Sequence, residues 1–78
     1  MEWKDRIIVD PAICHGSACI KGTRVLVSTL LDNLACGVPD DEILASYPSI
    51  QVGDLKAAVA YAADLARGRL VATPQAAA

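Results

Sequence analysis

The side chains with most latent chemistry are Cys14, the adjacent His15, Cys19 and Cys36, in a chain with three cysteines and one histidine. Zinc sites usually bring ligands in two pairs, each pair two to four residues apart, so that four donors converge on a tetrahedron. Adjacent ligands splay apart instead, Cys19 lies five residues beyond Cys14, and Cys36 falls at the end of a predicted helix. No metal or other cofactor is therefore expected, and two of the cysteines read as small buried apolar groups. A Cys–His nucleophile pair fares no better. Neighbours on an extended loop point to opposite sides, and 78 residues offer no obvious pocket. The chain reads as a non-enzymatic binding domain.

Nucleic-acid binding needs basic groups that neutralise phosphates. The candidates are Lys21, Arg24, Gln51 and Lys56, with Lys4 and Arg6 as further cations. Residues 1–27 hold four basic and three acidic side chains, a net +1, whereas residues 28–78 hold three basic and six acidic ones, a net −3. An acidic helical half argues against strong DNA binding by helices alone, so support for DNA as a partner is thin. Arg24 has a structural reading that is preferred, a two-pronged hydrogen bond to a carboxylate such as Asp10. Gly16 and Gly22 have the wrong spacing for a phosphate loop and read as turn residues. Trp3 reads as a packing or interface residue rather than a stacking platform for bases.

The elements that must position these residues are small. A chain of 78 residues is one domain, and burial of only roughly 60% of its unfolded surface leaves such a domain marginally stable. The hydrophobic fraction is 54%, but there is no Phe and a single Trp. Self-association or a tight partner is the natural way to bury more surface, so a homodimer is expected. No run approaches the ~18 apolar residues of a membrane span. The mixed charges of residues 2–6 lack the apolar core of a signal peptide. With an odd number of cysteines fitting a reducing compartment, the location expected is cytoplasmic.

Residues 6–9 form a short β-branched run stopped by Asp10-Pro11, and residues 23–27 form a second β-prone run after Gly22. Trp3, Ile7, Val9, Ile13, Ile20 and Val25 are the apolar positions expected to build this β-element or a dimer contact through it. Ser28 is the expected N-cap of a first helix carrying Leu30, Leu31, Leu34 and Ala35, ended by Gly37 as a left-handed cap. Pro39 is expected at the first position of a second helix, with Asp40, Asp41 and Glu42 at the end where the helix dipole favours negative charge. Ile43 and Leu44 should face inward, and Tyr47-Pro48 stops the helix. A third helix over 52–67 carries Val52, Leu55, Val59, Ala62 and Ala66 as its predicted inward stripe, with Gly68 as cap. The domain should thus cover 1–68, and a tail over 69–78 is expected to be disordered. The fold class is mainly α, a short N-terminal β-element followed by three helices in a helix-turn-helix outline.

The string Arg6-Ile7-Ile8-Val9-Asp10-Pro11-Ala12-Ile13-Cys14, then Gly16, then Cys19-Ile20-Lys21-Gly22-Thr23-Arg24-Val25, strongly resembles the small bacterial domain-of-unknown-function family 433. The likeness continues through Leu30-Leu31, Leu34-Ala35, Gly37, Glu42-Ile43-Leu44, Tyr47-Pro48, Asp54-Leu55, Ala57-Ala58 and Ala60-Tyr61-Ala62. Asp10, Pro11, Gly16 and the stretch Ile20-Lys21-Gly22-Thr23-Arg24 are its motif residues. The resemblance implies a homeodomain-like or winged helix-turn-helix unit whose N-terminal strands help make a dimer. It also implies an antitoxin of a type II toxin–antitoxin module, similar to the VapB class, whose partner is a PIN-like ribonuclease and which represses its own operon. A stand-alone dimeric DNA-binding regulator is the alternative. Two departures stand out: Gly16-Ser17-Ala18 replaces a Gly-Lys-Pro-like loop, and Val38 and Gln51 replace Ser or Thr caps. Unless something substitutes, each missing cap should cost about 0.5–2 kcal/mol.

Overall fold

A computed structural model describes residues 2–68; the tail expected over 69–78 lies outside the described residues. A 3₁₀ turn, Trp3–Asp5, leads into strand β1, Ile7–Ile8. A second 3₁₀ turn, Cys14–Gly16, precedes strand β2, Cys19–Ile20. Three helices follow: α1, Val27–Ala35; α2, Asp40–Ser46; and α3, Val52–Ala66. The strands pair antiparallel, with Ile7 opposite Ile20 and Ile8 opposite Cys19.

The mainly helical class with a small N-terminal β-element is as expected, but the second strand lies earlier than residues 23–27. Gly22 adopts φ +83°, and the Thr23 hydroxyl donates to the Ile20 carbonyl at 2.9 Å while accepting from the Val25 N–H at 3.0 Å. This tight turn folds the 23–27 run back along the far edge of β2. There Ile20 N–H donates to the Val25 carbonyl at 2.9 Å, and Cys19 makes a single bridge with Leu26. Val27 is then already helical. Leu26, not Ser28, is the N-cap of α1, and Ser28 lies exposed in the first turn. Pro39 likewise caps α2 from one position outside the helix.

Helix ends follow their local chemistry closely. Gly37, at φ +81°, donates to the Leu34 carbonyl at 3.0 Å while Val38 donates to Asn33 at 3.1 Å. That pair of reversed bonds is the Schellman closure of α1. Gly68 ends α3 with the same left-handed sense. The core comprises Trp3, Ile7, Ile20, Val27, Leu30, Ile43, Ile50, Leu55, Ala57 and Ala58, so the two residues facing each other across the sheet both point into the helices. Leu44 is half-buried against this core.

The face that α3 turns inward differs from the predicted stripe. Leu55 is buried, but Val52 and Val59 are 50% and 51% exposed, while Asp54, Ala57 and Ala58 are buried. Alanine at 57 and 58 lets α3 approach the rest of the core closely, and larger side chains there would hold it away. Trp3 seats the N-terminal turn on the distal part of this helix. Its ring meets Tyr61 edge-on at 4.9 Å and 86°, and its Nε1–H donates to Asp64 Oδ2 at 2.7 Å. Replacing Trp3 with Phe keeps an aromatic body but removes a hydrogen bond to a charged group. The expected cost is about 1–3 kcal/mol, seen as a lower urea midpoint with an unchanged slope.

Candidate functional site

The junction between the β-element and α3 is built around one carboxylate. Asp54, at the third position of α3, is 7% exposed. Its Oδ2 accepts the Gln51 backbone N–H at 2.8 Å, and its Oδ1 accepts from Arg6 Nη1 at 3.0 Å. The first bond is the half of a capping box in which the third helical residue reaches back to the N-cap N–H, so the first turn of α3 is tied from within the helix. Arg6 lies over Gly53: a Cβ at that position would come within 2.7–2.8 Å of the guanidinium atoms. Glycine inside a helix is unfavourable by about 1 kcal/mol relative to alanine; here it makes room for the arginine.

The arginine–carboxylate pair that ties the β-element down is therefore Arg6–Asp54 rather than Arg24–Asp10. Asp10 Oδ1 instead accepts the Ala12 N–H at 2.8 Å, closing a local turn, and Arg24 is exposed with no salt bridge to Asp10 among the described residues.

A shallow polar cleft beside this junction is lined by Asp5, Arg6, Lys21, Ser49, Gln51 and Asp54. Lys21 and Gln51, two of the four candidate DNA contacts, meet there together with Arg6. Lys56 lies elsewhere, in an apolar cleft with Leu34, Asp40, Leu55 and Val59, and Arg24 sits on the turn after β2. Two cations and two carboxylates line the polar cleft, so their formal charges cancel. Of the positions expected in the β-element or a dimer contact, Trp3, Ile7 and Ile20 are buried in the chain's own core, Ile13 and Val25 are half-buried, and Val9 is 56% exposed.

The apolar cleft was not legible as a surface, because Val59, which lines it, belonged to the predicted inward stripe. Val52, Leu55 and Val59 do share one side of α3, as spacings of three, four and seven require, and Leu34 of α1 adjoins them. Asp40, at the start of α2, places an acidic group on its rim.

The cysteines divide. Cys19 lies in β2 with Cys14 close to it, whereas Cys36 is exposed at the C-cap of α1. Among the described residues no group of three or more His, Cys, Asp or Glu side chains is placed to hold a metal ion. Burial, and then hydrogen bonding to Cys14, pushes the Cys19 thiol above its ordinary value, with Arg24 pulling the other way.

Comparison with known proteins places this arrangement. Residues 7–62 match the family model described as "Protein of unknown function (DUF433)". The chain belongs to this family. A solved DUF433 member protein from Anabaena variabilis is 36% identical, superposes with a TM-score of 0.74, and aligns over 85% of this chain. The chain spans 65% of that protein's length, and no curated protein matches. The DUF433 match begins at Ile7, next to Arg6, and runs through Asp54 and Tyr61. It therefore contains the carboxylate side of the junction and both clefts' helical walls. Among the described residues no helix is long and apolar enough to cross a membrane.

Two outcomes follow from this geometry. Gly53→Ala is expected to destabilise the chain despite alanine's better helix propensity, because the new methyl displaces Arg6 from Asp54. In an Arg6→Ala background the same change should stabilise by up to about 1 kcal/mol. Denaturant titration of the four proteins as a double-mutant cycle reads this sign reversal. Second, a thiol whose folded-state pKa is raised favours folding fully below its unfolded pKa and loses that contribution as pH rises above it. Stability should thus fall at alkaline pH beyond the ordinary thiol range. Cys19→Ala should flatten that fall, which thermal melts across the alkaline range would show.

Proposed function

We propose that this DUF433 protein is a protein-binding module of the antitoxin kind, which docks on a partner through the Val52 and Val59 side of α3 with Leu34 of α1. The observation carrying this reading is the half-exposure of Val52 and Val59 beside an apolar cleft whose charged neighbours are Asp40 and Lys56. In so small a domain, that apolar surface is what a partner would cover. The partner implied by the family resemblance is a PIN-like ribonuclease. A surface that binds RNA phosphates is basic, and the net −3 of residues 28–78 complements it. Asp40, Asp41 and Glu42 are exposed at the start of α2, next to the proposed contact, where they would steer association. The chain would act in the cytoplasm, with self-association expected through the β-element, where Val9 stands exposed.

The competing reading is a DNA-binding regulator that represses its own operon. Lys21, Gln51 and Arg6 on one cleft at the start of α3 favour it, but two carboxylates in the same cleft oppose it. Its signature would be binding to its own upstream DNA that weakens steeply with salt.

The deciding experiment is co-purification of the tagged chain with the products of its neighbouring genes. A small nuclease should be recovered in near-equal amount, its RNA cleavage suppressed in the complex. Val59→Glu, which adds a charge at a half-exposed site, should leave the melting temperature nearly unchanged and abolish recovery. Recovery of the chain alone, together with salt-dependent DNA binding, would overturn the antitoxin reading in favour of the regulator.

A further inference from the structure

Outside both clefts, one feature concentrates reactive chemistry. The Cys14 and Cys19 thiols lie close enough for Cys14 to raise the pKa of Cys19. They also reach successive carbonyls of the turn after β2, Cys14 Sγ to Arg24 and Cys19 Sγ to Thr23, each at 3.8 Å. Two sulfurs that share contact with adjacent peptide units of one tight turn are already side by side. Their surroundings differ. Cys14 is half-buried, whereas Cys19 is 1% exposed, facing Ile8 on β1 and Leu26 on the other side.

The backbone is bent to make this pairing. Cys14 and His15 adopt φ +51° and +57°, followed by Gly16 at +84°. Left-handed conformations at two successive non-glycine residues are costly and persist only where the surroundings impose them. The turn is tied by Gly16 N–H to the Ile13 carbonyl at 3.1 Å and Ser17 N–H to the Cys14 carbonyl at 3.0 Å.

We propose that Cys14 and Cys19 are a dithiol site that forms a reversible intrachain disulfide by exchange with a low-molecular-weight disulfide such as oxidised glutathione. Cys14, the accessible sulfur, attacks first. Its thiolate forms a bond to one glutathione sulfur, the glutathione S–S bond breaks, and one glutathione leaves as the thiolate. Cys19 then attacks the Cys14 sulfur in that mixed disulfide and expels the second glutathione. The two thiol protons pass to the departing glutathione sulfurs, so one disulfide is reduced as one is formed. Burial and the contact with Cys14 raise the Cys19 pKa, which disfavours Cys19 as the initiating thiol, since the thiolate is the nucleophile. Cys36, exposed at the end of α1, lies outside the pair and serves as an internal control.

The test uses the whole chain, incubated with oxidised glutathione, alkylated and digested with trypsin. Cleavage after Arg6 and Lys21 releases Cys14 and Cys19 together in the peptide of residues 7–21, and Cys36 in another. The expected result is a 7–21 peptide short of two hydrogens, with both thiols lost to alkylation and both restored by dithiothreitol. In Cys19→Ser the reaction should stop at a glutathione adduct on Cys14, and in Cys14→Ser the Cys19 thiol should stay unmodified. A stable glutathione adduct on Cys14 of the unsubstituted chain, with Cys19 still open to alkylation after unfolding, would overturn the proposal. So would disulfides joining Cys14 to Cys36 or to a second chain in place of the 14–19 link.

Discussion

The carboxylate of Asp54 joins the two halves of the molecule. Its two oxygens do different work: one closes the first turn of α3 on the Gln51 N–H, the other holds Arg6 at the entrance to β1. A charge this buried needs both partners and the positive end of the helix dipole to offset its lost hydration. Two-residue strands have little hold of their own, so the β-element depends on such anchors to the helices. Gly53 completes the joint by leaving room for the guanidinium against the helix backbone.

A second anchor lies farther along the same helix, where Trp3 packs on Tyr61 and donates to Asp64. Positions 54 and 61 are two helical turns apart, about 10 Å along the axis. Attachment at two points fixes the rotation of α3 as well as its place, because both anchors lie on one side of it. Asp54, Leu55, Ala57 and Ala58 are thereby buried, and Val52 and Val59 are turned towards solvent.

The surfaces available to partners follow from that rotation. One flank of α3 offers exposed Val52 and Val59 beside a cleft lined by both Asp40 and Lys56, an apolar surface suited to a protein partner. The other flank offers a cleft whose cations are matched by carboxylates, which weakens it as a phosphate cradle. The thiol pair is remote from this competition, and its chemistry depends on the strained turn before β2 and not on either cleft.

What the sequence determined by itself is what short-range chemistry decides. Gly37 and Gly68 end helices because left-handed closure suits glycine, Tyr47-Pro48 ends α2 because proline excludes the α region before it, and the acidic triplet 40–42 marks a helix start. The β-branched run at residues 6–9 contains β1. The family motif, including Ile20-Lys21-Gly22-Thr23-Arg24, was likewise legible as a string. Tertiary structure alone decided which arginine anchors the β-element to α3, since Arg6 and Asp54 are 48 residues apart, and which face of α3 is buried. That helix is apolar nearly all round and rich in alanine, so its periodicity carried little contrast. The larger valines dominated the sequence pattern, while close packing favoured the alanines. The contact between Cys14 and Cys19 was hidden for a related reason: it rests on positive φ at two residues that ordinarily avoid it, a conformation imposed by surrounding structure and not by their own preference.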